Sequence, residues 1–235
     1  MTMTNHEQVH LFLAVSLLHR HGYEVLCIAV HVDEGIVAQL EQTSGFQLIY
    51  NGNNDGRRLE LDVNQICGEA FAELKQRIMD VVARRHPGHE VRGMVALRSE
   101  VGCAEQPAHT DYLQEGPSSG WYDWDTDSVP LSCIVALQDG TELNVWPEAI
   151  RFNWTRPYNR QRLVLNRGDV VVFRGDLVHA GVAYGQPNHR IHCFLELREG
   201  GYERVKEKDG TERTMLMFDS ENIVSRGRTA RVEWV

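Results

Sequence analysis

The sequence has no pair of cysteines in C-x-x-C spacing, and its cysteine count is odd: Cys27, Cys67, Cys103, Cys133 and Cys193. That argues against a zinc ribbon and a disulfide framework, and reduced thiols are expected. It has no apolar run of bilayer length either. The best candidate, Leu11 to Leu18, is too short to span and lacks a basic n-region and a small-residue cleavage site. No membrane segment and no signal peptide are expected, and the location implied is cytoplasmic. The Asn153-Trp-Thr155 sequon is then a chance match. Positive charge is scarce as well. Lys and Arg number 24 against 33 Asp and Glu, a net charge of −9. This disfavours a surface that tracks phosphates, so nucleic acid is not an expected partner. Internal repeats and low-complexity linkers are absent too.

What is present is an ordinary globular composition, 42% hydrophobic over 235 residues, enough to bury a sizeable core. The reading is one domain over 1–235. Residues 1–90 are expected to be mainly helical, 91–200 to form a β core, and 201–235 to add a hairpin and tail. Thr4 and Glu7 make a capping box before Val9 to Leu18. Tyr23 to Val30 reads as a strand. Asp33 caps a short helix with Ile36, Val37 and Leu40 on one side, and Asp62 or Asn64 opens a longer one. In that longer helix Ile66, Ala70, Phe71, Leu74, Ile78 and Val81 recur at three- and four-residue spacing, and Pro87-Gly88 ends it. From residue 91 the pattern becomes short strands: Arg92 to Leu97, Leu131 to Gln138, Thr141 to Trp146, Arg162 to Leu165, Val170 to Phe173, Leu177 to Ala180 and Arg190 to Leu197. Asp139-Gly140 reads as a hairpin turn, and Val205 to Met217, broken at Asp209-Gly210, as another. Many short strands at near-regular spacing imply a sandwich or barrel.

The chemistry concentrates in His109-Thr-Asp111, His179 and Arg190. Residues i and i+2 of an extended segment share a face, so His109 and Asp111 can reach one ion. Two histidines and one carboxylate form the facial set that leaves the opposite side of a metal open. His31-Val-Asp33 has the same spacing, but Asp33 opens a helix and serves better as a cap. Arg190 sits in an otherwise apolar strand and needs a partner: a local acid such as Asp176, or a bound dicarboxylate. His192 shares Arg190's face, and His189 points the other way. Arg98 is a further candidate for the co-substrate. Gln106, Trp121 and Trp124 are candidates for substrate, the two tryptophans in a long connection from Gly116 to Pro130 of the kind that acts as a lid.

His109-Thr-Asp111, His179 and Arg190, with ten residues between the last two, resemble the H-x-D…H…R pattern of the Fe(II)/2-oxoglutarate-dependent dioxygenase superfamily. The resemblance covers roughly residues 92–197. Thr141 to Pro147 further resembles the phytanoyl-CoA dioxygenase-like branch. Glu196 stands where AlkB-like enzymes carry a second arginine. The resemblance implies an α+β protein, with a double-stranded β-helix (a cupin-like jelly roll) and N-terminal helices packed on it. It implies Fe(II) on His109, Asp111 and His179, with 2-oxoglutarate paired to Arg190 and O2 as the other co-substrate. The implied reaction hydroxylates or oxidatively demethylates a small organic substrate, releasing succinate and CO2. The carboxylate of Asp111 speaks against halogenation, for which the family places a small residue there. A peptide or protein side chain is the alternative substrate. A cupin-like metal-binding or sensing protein without turnover is the alternative class. Substrate identity and oligomeric state stay open.

Overall fold

A computed structural model describes residues 18, 21–49, 56–112, 129–147 and 160–198, and the backbone of short strands at 205–206, 212–213, 216–218 and 232–234. The strands are β1 (Tyr23–Leu26), β2 (Gln47–Leu48), β3 (Arg58–Asp62), β4 (His89–Ser99), β5 (Ala108–Thr110), β6 (Leu131–Ala136), β7 (Thr141–Trp146) and β8 (Gln161–Leu165). They continue as β9 (Val170–Arg174), β10 (Val178–Gly181), β11 (Asn188–Leu197), β12 (Val205–Lys206), β13 (Glu212–Arg213), β14 (Leu216–Phe218) and β15 (Val232–Trp234). A seven-stranded sheet runs β1-β9-β6-β11-β4-β3-β2, and a six-stranded sheet runs β15-β14-β5-β10-β7-β8. Their pairings are antiparallel, and the chain alternates between them, which is the jelly-roll arrangement.

Two helices are described, Gly35–Gln42 and Glu69–Arg85. The long one buries Phe71, Leu74, Ile78, Val81 and Val82, a stripe at helical spacing. It joins a core of Leu131, Cys133, Val135, Val170, Val172, Ile191, Cys193 and Leu195 on one face of the large sheet. A second core lies between the sheets: Ile134, Ala136, Val171 and Phe173 from the large one meet Leu143, Val145 and Leu165 from the small one. No described helix is long and apolar enough to cross a membrane.

Several sequence expectations change. The Thr4–Glu7 cap and the run to residue 17 lie outside the described residues. Before residue 90 the described chain is mixed, because β1, β2 and β3 extend the large sheet. Asp62 accepts from the Asn64 amide but caps only a 3-10 turn, Val63–Gln65, and the long helix starts at Glu69. Asp33 stands one residue ahead of the N-cap, Glu34, which has no side-chain cap, and its carboxylate accepts from the Gly35 amide at 2.8 Å. Asp139-Gly140 is not a hairpin turn: β6 pairs with β9 and β11, while β7 pairs with β8 and β10. Gly140, at φ 73°, reverses the chain between sheets rather than within one. Around Asp209-Gly210, which lies outside the described residues, β12 pairs antiparallel with β13. Leu216–Phe218 leaves it and pairs with β5.

One polar cluster lies outside the sandwich. Glu24 is buried, with Arg85 Nη2 at 3.1 Å and His86 Nε2 at 2.9 Å. Burial pushes its carboxyl up, yet His86 and Arg85 more than offset this and hold it below the usual range. The Glu24 contribution to stability is therefore full above the unfolded carboxyl pKa of about 4.3 and lost as pH falls through the lower folded value. Glu24→Gln should cost roughly 3 kcal/mol at pH 7 by urea unfolding, and the difference from wild type should shrink towards pH 3.

Candidate metal centre

β5 and β10 place two imidazoles opposite each other. His109 and His179 are register partners across these strands, and their ring centroids lie 4.3 Å apart. His179 is also aligned with Val145, an inter-sheet core residue, so both rings face into the sandwich. Asp111 follows His109 by two positions. Its backbone is fixed on the next residue, where the Tyr112 amide donates to Gly175 O at 3.0 Å. Gly175 is needed there, since a Cβ would come within 2.3 Å of the Tyr112 ring. One ligand atom from each of His109, Asp111 and His179 falls within 4.8 Å of the others, and all three residues are buried.

The protonation states suit a metal. His109 Nδ1 lies 2.8 Å from Pro107 O and His179 Nδ1 lies 3.0 Å from Leu177 O. A carbonyl only accepts, so each Nδ1 carries the hydrogen and each Nε2 keeps its lone pair for the site. Burial and the neighbouring His179 push His109 down to about 3. Burial also lowers His179, against the pull of Asp111. Both are neutral at pH 7 and able to ligate. Burial alone would raise the Asp111 carboxyl, but His179, His192 and His109 outweigh it and keep the group charged. Two neutral imidazoles and one carboxylate, held by backbone carbonyls on a rigid sheet, fit a divalent transition metal with open positions.

His192, from β11 of the opposite sheet, does something the sequence did not suggest. Its Nε2 is 3.0 Å from Asp111 Oδ2, while Asp111 Oδ1 lies 3.5 Å from His179 Nε2. His192 therefore holds one carboxylate oxygen and turns the other towards the histidines. Phe194 packs edge-on against its ring at 4.6 Å. Such a partner fixes a ligand's orientation, and its loss typically costs 10–100-fold in metal affinity. His192→Phe is expected to weaken Co(II) or Mn(II) binding by roughly that factor, read by metal titration.

Arg190 is buried, with Nη1 at 3.0 Å from Ser99 Oγ and 3.4 Å from Asn188 Oδ1, and its guanidinium lies 5.8 Å from the Tyr184 ring centre. No carboxylate among the described residues pairs with it. Asp176, the local acid that could have done so, is taken by Arg174 at 2.9 and 3.0 Å. Arg58, which the sequence reading missed, is buried too, and it also donates to Ser99 Oγ at 3.0 Å and to the carbonyls of Ala104 and Val182. Its position on a short strand ahead of the recognisable motif gave no signal.

The other candidates are placed elsewhere. Arg98 alternates away from this face, pairs with Glu100 at 2.8 Å and lies over the Phe46 ring. Gln106 braces β10, its Oε1 accepting from the Gly181 amide at 3.0 Å. His189 contacts Gln138, away from Arg190 as expected. His31 and Asp33 are exposed and outside the cluster. Trp121 and Trp124 lie outside the described residues.

No family model and no curated protein sequence matches the chain. Solved structures do. The epimerase SnoN from nogalamycin biosynthesis, in complex with Fe3+, alpha ketoglutarate and nogalamycin RO, is similar at TM-score 0.61 and 16% identity, over 87% of this chain and 96% of that one. HygX from Streptomyces hygroscopicus, with nickel and 2-oxoglutarate bound, is similar at TM-score 0.59 and 12% identity, over 89% and 94%. A Pseudomonas putida prolyl-4-hydroxylase is similar at TM-score 0.52 and 14% identity, over 80% and 99%. At such identities the likeness is one of fold, and the chain has the double-stranded β-helix fold of these 2-oxoglutarate-dependent enzymes.

Proposed function

We propose that the chain is an Fe(II)- and 2-oxoglutarate-dependent oxygenase acting on a small organic substrate, with O2 as co-substrate and succinate and CO2 as co-products. The observation that carries this is the pairing of two neutral imidazoles, His109 and His179, and the charged Asp111 carboxylate with a buried arginine that has no described acid partner. A metal-binding or sensing protein without turnover has no use for Arg190. Arg190 and His192 share one face of β11 two residues apart, a separation of roughly 7 Å along the strand. The guanidinium is thus on the same side of the sheet as the residue that holds Asp111, the arrangement a diacid bridging metal and arginine needs.

In this reading His109, Asp111 and His179 hold the iron, and Arg190 takes the distal carboxylate of 2-oxoglutarate. Iron with 2-oxoglutarate supplies the oxidising chemistry, while the protein orients its ligands and excludes water. His192 sets the Asp111 carboxylate, and Ser99 and Asn188 set the arginine fork. Asp111 fills the position that halogenation would need open, which supports hydroxylation or oxidative demethylation. Within the superfamily, Thr141 to Pro147 favours the phytanoyl-CoA dioxygenase-like branch. Anaerobically purified protein given Fe(II), 2-oxoglutarate and then air should release succinate, and EDTA should stop it. Fe(II)-independent succinate release, or none, would sink the proposal.

A further inference from the structure

The site-facing side of the large sheet holds a carboxylate that the metal and co-substrate readings leave unused. Register fixes the face. Arg190 aligns with Leu97 of β4, and Leu97 aligns with Glu60 of β3. In the adjoining rows His192 aligns with Val95, and Asn188 with Ser99 and then Arg58. Cross-strand partners share a face. Glu60 is therefore on the side of the sheet that carries Arg190 and His192, two strands or about 10 Å from the arginine's backbone. It is half-buried, and His192 is the neighbour on that face that acts against its burial.

Several other described acids around the sandwich are engaged. Asp111 is held by His192, Asp176 by Arg174, Glu142 by Arg162 and Glu105 by Arg160. Asp169 caps the turn at Asn166, and Asp62 caps its own 3-10 turn. Among the described residues Glu60 has no such hydrogen bond or ion pair. Arg58, two residues away on the same strand, directs its guanidinium instead to Ser99 and to the carbonyls of Ala104 and Val182. A desolvated carboxylate without a partner is costly unless an occupant supplies one. Burial accordingly pushes the Glu60 carboxyl up.

We propose that Glu60 is the substrate-binding acid of this centre and that the small substrate carries a cationic amino group which pairs with it. This rests on the oxygenase reading, since it is the oxidation site that Glu60 would hold the substrate against. An ammonium restores the charged carboxylate and forms a charge-assisted hydrogen bond in a partly desolvated place. Anchored on β3, it presents the carbon skeleton to the metal side of the sheet while Arg190 is occupied by the co-substrate.

The test uses the full chain loaded with Fe(II) and 2-oxoglutarate. The probes are cadaverine, benzylamine and 2-deoxystreptamine, each against the alcohol of matching skeleton: pentane-1,5-diol, benzyl alcohol and 2-deoxy-scyllo-inositol. At least one amine is expected to raise succinate release above the rate without added substrate, and its alcohol is not. Binding of that amine to the anaerobic complex, followed by calorimetry, is expected to weaken at least tenfold in Glu60→Gln. Glu60→Asp, which keeps the charge, is expected to fall between. Circular dichroism checks that both variants fold. The proposal is overturned if no amine binds, if alcohols serve as well as amines, or if Glu60→Gln binds the amine as tightly as wild type. Failure of the oxygenase reading looks different: the wild-type chain then shows no Fe(II)-dependent succinate release with any probe or with none.

Discussion

The Asp111→Ala variant is expected to lose both metal binding and turnover while remaining folded. Asp111 is the one anionic member of the set, and its two oxygens face His179 at 3.5 Å and His192 at 3.0 Å. With alanine there, a divalent ion would meet only neutral imidazoles in a buried site, and nothing would offset its desolvation. In wild type, Mn(II) at about 100 times its Kd should stabilise the fold by about 2.7 kcal/mol. For a chain of this size that is a rise in Tm of about 5–10 °C. Asp111→Ala should show almost none of this shift and less than about 1% of wild-type succinate release, a loss of roughly 3 kcal/mol or more in catalysis. The thermal shift is the sharper readout, because it needs neither substrate nor oxygen. A variant that keeps its Mn(II)-dependent shift would remove Asp111 from the metal centre.

Much of this site could be read from the chain because its members lie on extended segments. In a strand, two-residue spacing means one face, so His109 with Asp111 and Arg190 with His192 could be grouped before any fold was known. What spacing cannot give is the opposing surface. His192 lined up with Arg190 by parity, but its contact with Asp111 depends on how two sheets meet, and no local pattern encodes that. The same limit explains Asp139-Gly140. Its turn chemistry specifies a reversal with positive φ, and a reversal serves a hairpin or a crossing between sheets equally well. β2 and β3 were missed because they are short and mostly polar, with Gln47, Arg58, Glu60 and Asp62 among their seven residues. β3 does alternate, as Arg-Leu-Glu-Leu-Asp, but over only five residues; it pairs with β4, and the two-residue β2 pairs only with β3. Glu60 and Arg58 went unseen with them.

The fold narrows the chemistry less than the site does. Structures of this fold include an enzyme described as an epimerase, another as a carbocyclase and another as a prolyl-4-hydroxylase. A scaffold shared by such different outcomes cannot choose among them. The choice falls to the residues that hold the substrate against the metal, which is why a charged side chain on β3 carries more information about this protein than the sheets around it.

Arg190→Ala is expected to raise the Kd for 2-oxoglutarate by roughly 100-fold, because a bidentate charge-assisted pair contributes about 3 kcal/mol. A general loss of structure could mimic part of that, so the decisive comparison uses a 2-oxo acid without the distal carboxylate, 2-oxovalerate. Wild type should bind it far more weakly than 2-oxoglutarate, and Arg190→Ala should bind the two about equally, since the group that tells them apart is gone. Arg190→Lys restores the charge without the planar fork and should recover about half of the lost free energy. Stability supplies an independent check. Arg190 is buried against Ser99 Oγ, Asn188 Oδ1 and the Tyr184 ring, with no carboxylate among its described contacts. Removing a buried cation that lacks a counter-charge should therefore cost the ligand-free protein less than about 1 kcal/mol. Had Arg190 been a structural ion-pair member, its removal would strand a buried acid and cost about 3–5 kcal/mol instead. A large loss of ligand-free stability together with an unchanged ratio of the two 2-oxo acid affinities would place Arg190 in the scaffold and leave the co-substrate without its anchor.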